Sequence, residues 1–396
     1  MMAALVAGEQ GKKVLILEKN KELGAKLKIT GGGRCNITNA EFDTRAFLSH
    51  YGKAADFLFS PFSQFGVQST FDFFEARGLP LVIQARNRAF PRTEKAHDVF
   101  KCLKRGLDAK GVFIKTSYAV KKIHHKGGKV MEVETNQGSF VGRSYILATG
   151  GLSHPETGST GDGFKWLRDL GHSVQAPTPT IVPLAVEEAW VKSLAGTSLS
   201  FMKINFYLDG KKQLSKTGKV LFTHFGLSGP LILNCANAVG DLLEAGRVTA
   251  TIDAYPDTDA GVVERGIIKI FDAHKNKSLK TVFKLVVPAG TATAIQTLLP
   301  EINFETAVNA ITKEERKQIV RVLKALPITI TNLMGYDRAV VADGGVTLTE
   351  VDTRTMRSRK LGNLFITGDL LHVNRPSGGY SLQFCWTTGY VAGTNA

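Results

Sequence analysis

The first eighteen residues, MMAALVAGEQGKKVLILE, constrain the fold more than any other stretch of this chain. A run of small apolar residues stops at Gly11, a short apolar strand follows, and the strand ends on Glu18. This is the pattern of the second half of a dinucleotide-binding βαβ unit. In such a unit an acid about 20 residues past a G-x-G-x-x-G turn accepts a hydrogen bond from a ribose hydroxyl. The expectation is a nucleotide-cofactor protein whose first strand and glycine turn lie before Met1, so that the chain as written is truncated at its N-terminus.

The rest of the composition narrows the class. A chain of 396 residues is too long for one core, so two or three domains are expected. No apolar run reaches the ~18 residues that a membrane span needs, and no signal-type core follows Met1. Cys35, Cys102, Cys235 and Cys385 are scattered without C-x-x-C spacing. That argues against zinc and against a disulfide framework and fits a reducing, cytoplasmic setting; no bound metal is expected. The net charge of +15 suits a soluble surface and a polyphosphate cofactor, and it leaves an RNA partner open.

Punctuation divides the chain. Gln175–Pro183, QAPTPTIVP, breaks regular structure and reads as a boundary. Before it, the runs YAVKKI, KVMEVE and SFVGRSYIL between Tyr118 and Leu147 read as an antiparallel meander. After it come strand-like runs to Tyr255, helical periodicity over Asp257–Ala325, and glycine-rich strand-then-helix character from Gly335. Four parts are expected: residues 1–178, a β-rich insertion over 179–256, a helical part over 257–326, and a return over 327–396.

Four constellations carry chemistry. Glu18 is the candidate ribose ligand. Ile29–Thr38, ITGGGRCNIT, offers a glycine-rich backbone with Arg34 as a cationic fork for phosphate. Cys35 within it reads as a packing residue. Ala148–Gly163, ATGGLSHPETGSTGDG, starts as a strand ending beneath a dinucleotide and continues as a polar loop. Asn363–Tyr390 runs a strand into Gly368-Asp369 and opens a helix at Gly378-Gly379-Tyr380. Asp369 can take a ribityl hydroxyl, and the helix N-terminus can face an electron-rich flavin edge.

Together Glu18-Lys19, GGGRCN, ATGG-x-S-x-P-x-TGSTGDG, THFGLSGP, DGGV and GGY-x-LQ resemble the BaiN/YhiN-type (aminoacetone oxidase-like) bacterial FAD-dependent oxidoreductases. That family includes a bile-acid-pathway reductase and a ribosomal-RNA dihydrouridine synthase. The resemblance covers essentially the whole chain. It implies an α/β fold: a discontinuous Rossmann-like FAD-binding domain, an inserted β-rich domain and a helical domain. It implies flavin contacts at Glu18, Lys19, Gly31, Gly32, Gly33, Arg34, Cys35, Asn36, Val120, Ala148, Thr149, Gly150, Gly151, Gly368, Asp369, Gly379, Tyr380, Ser381 and Leu382. The chain departs from the family pattern in three places. Asp343 stands where small or hydroxyl residues are usual, Ser381 where Asn is usual, and HVNRPS over His372–Ser377 replaces an acidic D-x-D-G segment.

The expected function is hydride transfer between FAD and a small molecule held between the FAD domain and the insertion. NAD(P)H is a possible transient donor, since no second nicotinamide fingerprint is present. Tyr380, His224 and His372 are candidate proton carriers on position alone. A flavin-dependent RNA-modifying enzyme and a flavoprotein with an interaction or sensing role are the alternatives.

Overall fold

A computed structural model describes all residues, Met1–Ala396. The chain forms two units: Met1–Thr180 with Tyr336–Ala396, and Ile181–Gly335.

In the first unit the opening helix, Met2–Glu9, is buried on every side from Met2 to Gly8. Its small residues let the last helix, Tyr380–Asn395, approach to backbone contact. A Cβ on Gly393 would stand 3.0 Å from the Ala3 carbonyl carbon. The strand Leu15–Glu18 pairs in parallel with Phe113–Thr116, and Glu18 lies opposite Thr116. A second parallel pair joins Tyr145–Leu147 to Leu364–Ile366. Aromatic side chains such as Phe47, Phe74, Phe164, Phe365 and Phe384 fill the core.

The meander holds for Val120–Lys126, Lys129–Thr135 and Gly138–Phe140, with the expected turns. The third apolar run, however, is divided. Its first residues end the meander, whereas Tyr145–Leu147 joins the parallel pair. Residues 141–144 between them are exposed and take no strand conformation.

The proline-rich boundary also differs from expectation. Val174–Thr180 is a strand, paired antiparallel with Val341–Val346. A register shift between Gln175 and Thr178 accommodates the ribbon's irregularity, and a two-stranded ribbon leaves an edge where proline's missing N–H costs nothing. Gly344 makes room for Pro177, whose Cα would lie 2.6 Å from an added Cβ.

The second unit is a closed six-stranded barrel. Its strands follow the order Leu184–Val186, Gly226–Ser228, Lys211–Thr223, Ser198–Leu208, Val248–Asp253 and Leu326–Leu333, which returns to the first. Alternate residues point inward, as Ile204 and Phe206, Val220 and Phe222, and Val248, Ala250 and Ile252 show. Closure leaves no free edge. Helices Ala260–Ala273, Leu279–Val286 and Lys313–Lys324 bury their apolar faces in the same core. Residues 179–256 and 257–326 thus share one core. The barrel's last strand also crosses the anticipated return at 327, and the chain rejoins the first unit at Tyr336. No helix is long and apolar enough to cross a membrane.

Candidate functional site

Parallel strands bind ligands beyond their carboxyl ends. In the first unit two such ends lie side by side. Ile366 pairs with Leu147, and the backbone N–H and the hydroxyl of Thr367 both donate to the Leu147 carbonyl at 3.1 Å. The loops that follow, Ala148–Gly151 and Gly368–Asp369, touch: a Cβ on Gly151 would meet the Asp369 Cβ at 3.3 Å. Gly368, at φ 58°, donates its N–H to Thr388 Oγ1 of the last helix at 3.0 Å.

The N-terminus of that helix is fixed from the other side. Gly379 has φ 109°, and an added Cβ would overlap the Thr38 carbonyl carbon and stand 2.5 Å from the Asn39 nitrogen. Glycine is needed here for packing against the Thr38–Asn39 strand. The Thr38 hydroxyl donates to Gln383 Oε1 at 2.7 Å, and Asn39 Nδ2 donates to the Gly378 carbonyl at 3.2 Å. Tyr380 is turned into the core. Its ring centroid lies 4.8 Å from Phe47 and 4.7 Å from His50, and its carbonyl accepts from the Tyr51 hydroxyl at 2.9 Å. Burial raises its phenol pKa. As placed, the Tyr380 ring is part of the core packing. Leu382 is partly buried against the same core.

Charge gathers between these elements. The Arg375 guanidinium pairs with Asp369 Oδ1. It also donates from Nη1 to the Val373 carbonyl at 2.6 Å and from Nε to Ser381 Oγ at 3.3 Å. Burial is the largest influence on Arg375 and pulls its pKa down, but Asp369, Cys385, Asp343 and Tyr51 together outweigh it and the net shift is upward. Lys26 donates to the Ser153 carbonyl at 2.7 Å and to the Ser153 hydroxyl. Burial lowers the Lys26 pKa, with Asp369 opposing. Burial also pushes the Cys385 thiol up to about 12.

The amino-terminal residues meet the expectations unevenly. Glu18 ends its strand with Oε1 accepting from the Asn20 N–H at 2.9 Å. Lys19 pairs with Asp162 at 2.7 Å and reaches the Thr160 hydroxyl. Gly31, Gly32 and Gly33 have φ of 57°, 66° and 85°, and a Cβ on Gly32 or Gly33 would meet nothing. Arg34 is not a free phosphate fork: it pairs with Glu94, donates to Gln84 Oε1 at 2.7 Å and lies 4.4 Å from the Phe90 ring centroid. Cys35 is fully buried with its thiol pushed up to about 12, as befits a packing residue. Val120 opens the meander opposite Thr135. His372 is exposed, and so is His224, which lies in the second unit with its ring against Phe225.

Buried polar atoms without a hydrogen-bond partner include Arg34 Nε, Asn36 Oδ1 and Thr149 Oγ1, all in segments expected to touch a flavin; Glu188 Oε2 and Arg316 Nε in the second unit are others. A glycine-opened backbone, a fixed carboxylate, a helix N-terminus and three unmatched hydrogen-bonding atoms fit a polar, ring-bearing cofactor. Sequence reasoning placed Ser153 in the polar loop but did not single out Lys26 as its partner. Lys26 stands among Lys19, Lys21 and Lys28, so it read as one more surface charge.

The model of the family described as "HI0933-like protein Rossmann domain" matches residues 1–395. The chain is 30% identical to the 3-dehydro-bile acid delta(4,6)-reductase of Clostridium scindens, over 97% of this chain and 92% of that one. It is 25% identical to the ribosomal RNA dihydrouridine synthase of Escherichia coli, over 99% and 94%. Its fold is similar to that of 3-ketosteroid delta1-dehydrogenase from Sterolibacterium denitrificans, with a TM-score of 0.52 and 12% identity over 99% of this chain and 96% of that one. The chain belongs to the HI0933-like family.

Proposed function

We propose that this member of the HI0933-like family transfers a hydride between FAD and a small organic substrate. The chain is an FAD-dependent oxidoreductase. The observation that carries the cofactor assignment is the group of unmatched buried atoms, Arg34 Nε, Asn36 Oδ1 and Thr149 Oγ1, in the segments expected to touch a flavin. Leaving a buried polar group unpaired costs about 1–3 kcal/mol, so such atoms gather where a ligand completes them.

Glu18 would hold the adenosine ribose, and the Gly31–Asn36 loop and Thr149–Gly151 would line the cofactor. Asp369 would accept from a ribityl hydroxyl, and the N–H groups opening the last helix would meet the pyrimidine edge. The chemistry supplied by bound FAD is hydride transfer at N5; position and charge come from the chain. NAD(P)H is the proposed transient donor.

The bile-acid reductase relative makes conjugated enones the first acceptors to test. RNA is the second, raised by the net charge of +15 and by the relatives named for ribosomal RNA. RNA turnover should fall steeply with salt, whereas enone turnover should not. A full-length version carrying the expected first strand and glycine turn should release one FAD when denatured, and Glu18→Ala should weaken FAD by about 1–3 kcal/mol, the scale of a charged hydrogen bond. Extraction of FMN, or of no flavin, would overturn the assignment.

A further inference from the structure

We propose that the buried Arg375–Asp369 pair sets the reduction potential of the flavin, the guanidinium favouring the reduced form and the carboxylate opposing it. The inference rests on the FAD reading above. Arg375 is the residue by which HVNRPS departs most sharply from the acidic pattern of the family, and its side chain is 1% exposed. Its three named hydrogen-bonding groups reach the Asp369 carboxylate, the Val373 carbonyl and the Ser381 hydroxyl. Two of those, Asp369 and Ser381, belong to the segments expected to hold the flavin. The remaining face of the guanidinium lies 5.0 Å from the Phe384 ring centroid.

Burying an arginine this completely is costly, and the Asp369 carboxylate is the largest of the groups that offset that cost. The groups that act on Arg375 electrostatically are Asp369, Cys385, Asp343 and Tyr51, and Lys26 acts on the same carboxylate. Asp343 is the second departure from the family pattern, so the two departures meet in space with opposite charges. Cys385 and Tyr51 are neutral near pH 7, because burial raises both. The cluster is thus two cations and two carboxylates in a place where water screens little.

Reduction by a hydride moves two electrons and one proton onto the flavin and leaves the ring with one additional negative charge. A fixed cation beside it lowers the free energy of that state, and a fixed anion raises it. The two members of the pair therefore push the potential in opposite directions. A merely structural role would not produce that sign difference.

The test is to measure the flavin potential of the holoprotein by reduction with dithionite against a reference dye, and the affinity of the oxidised flavin for sulfite. Arg375→Met should disfavour reduction at least tenfold, about 30 mV for a two-electron couple, and weaken sulfite binding by a similar factor. Asp369→Asn should shift both in the opposite direction, and Arg375→Lys should stay near the wild type. If Arg375→Met loses its flavin, Asp369→Asn and Arg375→Lys still decide the sign. Potentials that stay unchanged in flavin-replete variants, or that all move the same way, overturn the inference alone. A full-length wild type without flavin overturns the FAD reading and the inference with it.

Discussion

The first unit buries two polar clusters of similar make-up, one around His172 and one around Asp369, and they differ in how completely they are matched. At His172, Nδ1 lies 2.8 Å from Glu350 Oε2 and Nε2 lies 2.9 Å from Ser358 Oγ. Glu350 also pairs with Lys360 at 2.9 Å and accepts from the Ser173 N–H at 3.0 Å. The Ser358 oxygen accepts two further N–H groups, from Lys360 at 3.1 Å and Leu361 at 3.0 Å. The serine–histidine–carboxylate order is that of hydrolytic triads, but this hydroxyl is buried and already committed, so it cannot reach a substrate. At Asp369 the charges are matched, yet Thr149, in the loop that touches it, keeps an unmatched atom. A closed network stabilises the fold; an unfinished one marks where a ligand belongs.

The comparison breaks most visibly if the unfinished site is not rigidly framed. Gly379→Val should cost about 4 kcal/mol or more, because backbone of the Thr38–Asn39 strand occupies the space and φ is positive. Chemical denaturation of the apoprotein measures it. A stable, flavin-binding variant would show that the last helix is free to shift.

The closed network should respond less strongly, and without regard to flavin. His172→Ala leaves Ser358 and Glu350 without their imidazole partner and should cost about 2–4 kcal/mol in apo and holo forms alike. Burial lowers the His172 pKa. Burial works against ionisation of Glu350, but its hydrogen bonds from Lys360, Ser173 and His172 prevail and hold it at about 2. Both values are depressed on folding, so the stability they contribute is present above the unfolded values, about 6.5 and 4.3, and is lost as pH falls below them. Denaturation midpoints from pH 8 to pH 4 should therefore fall more steeply in the wild type than in His172→Ala. Parallel pH profiles would mean that the network is not linked to folding.

The smallest effect should be the most discriminating. Thr149→Val replaces an unmatched hydroxyl by a methyl group of the same shape. It should leave the apoprotein as stable or slightly more so, and weaken FAD by about 1 kcal/mol. A titration showing unchanged affinity would make the Thr149 oxygen a plain packing defect.

What was legible in the sequence was what is local. The strand that ends on Glu18, the glycines of TGGG and the helix at Lys313–Lys324 each declare themselves within a dozen residues. The capping box of Thr312 and Glu315 is likewise a short-range signal. The barrel did not show, because its closure joins Leu184–Val186 to Leu326–Leu333 across the whole second unit. The His172 network was hidden for the same reason, since Glu350 and Ser358 are remote in sequence. Arg375 was visible only as a departure from a motif, and Tyr380 suggested chemistry from a position whose ring proves to be part of the core.

The contact between the opening helix and the last one bears on how the protein is made. The ribosome delivers Met2–Glu9 long before Tyr380–Asn395, and the backbone of Ala3 is where Gly393 finally rests. Throughout synthesis the first helix is an apolar segment without its partner. The barrel, whose strands are consecutive within one stretch, can be completed while the chain is still attached. The first unit has to wait for its final residues, and the nascent chain keeps an apolar helix without its partner until then.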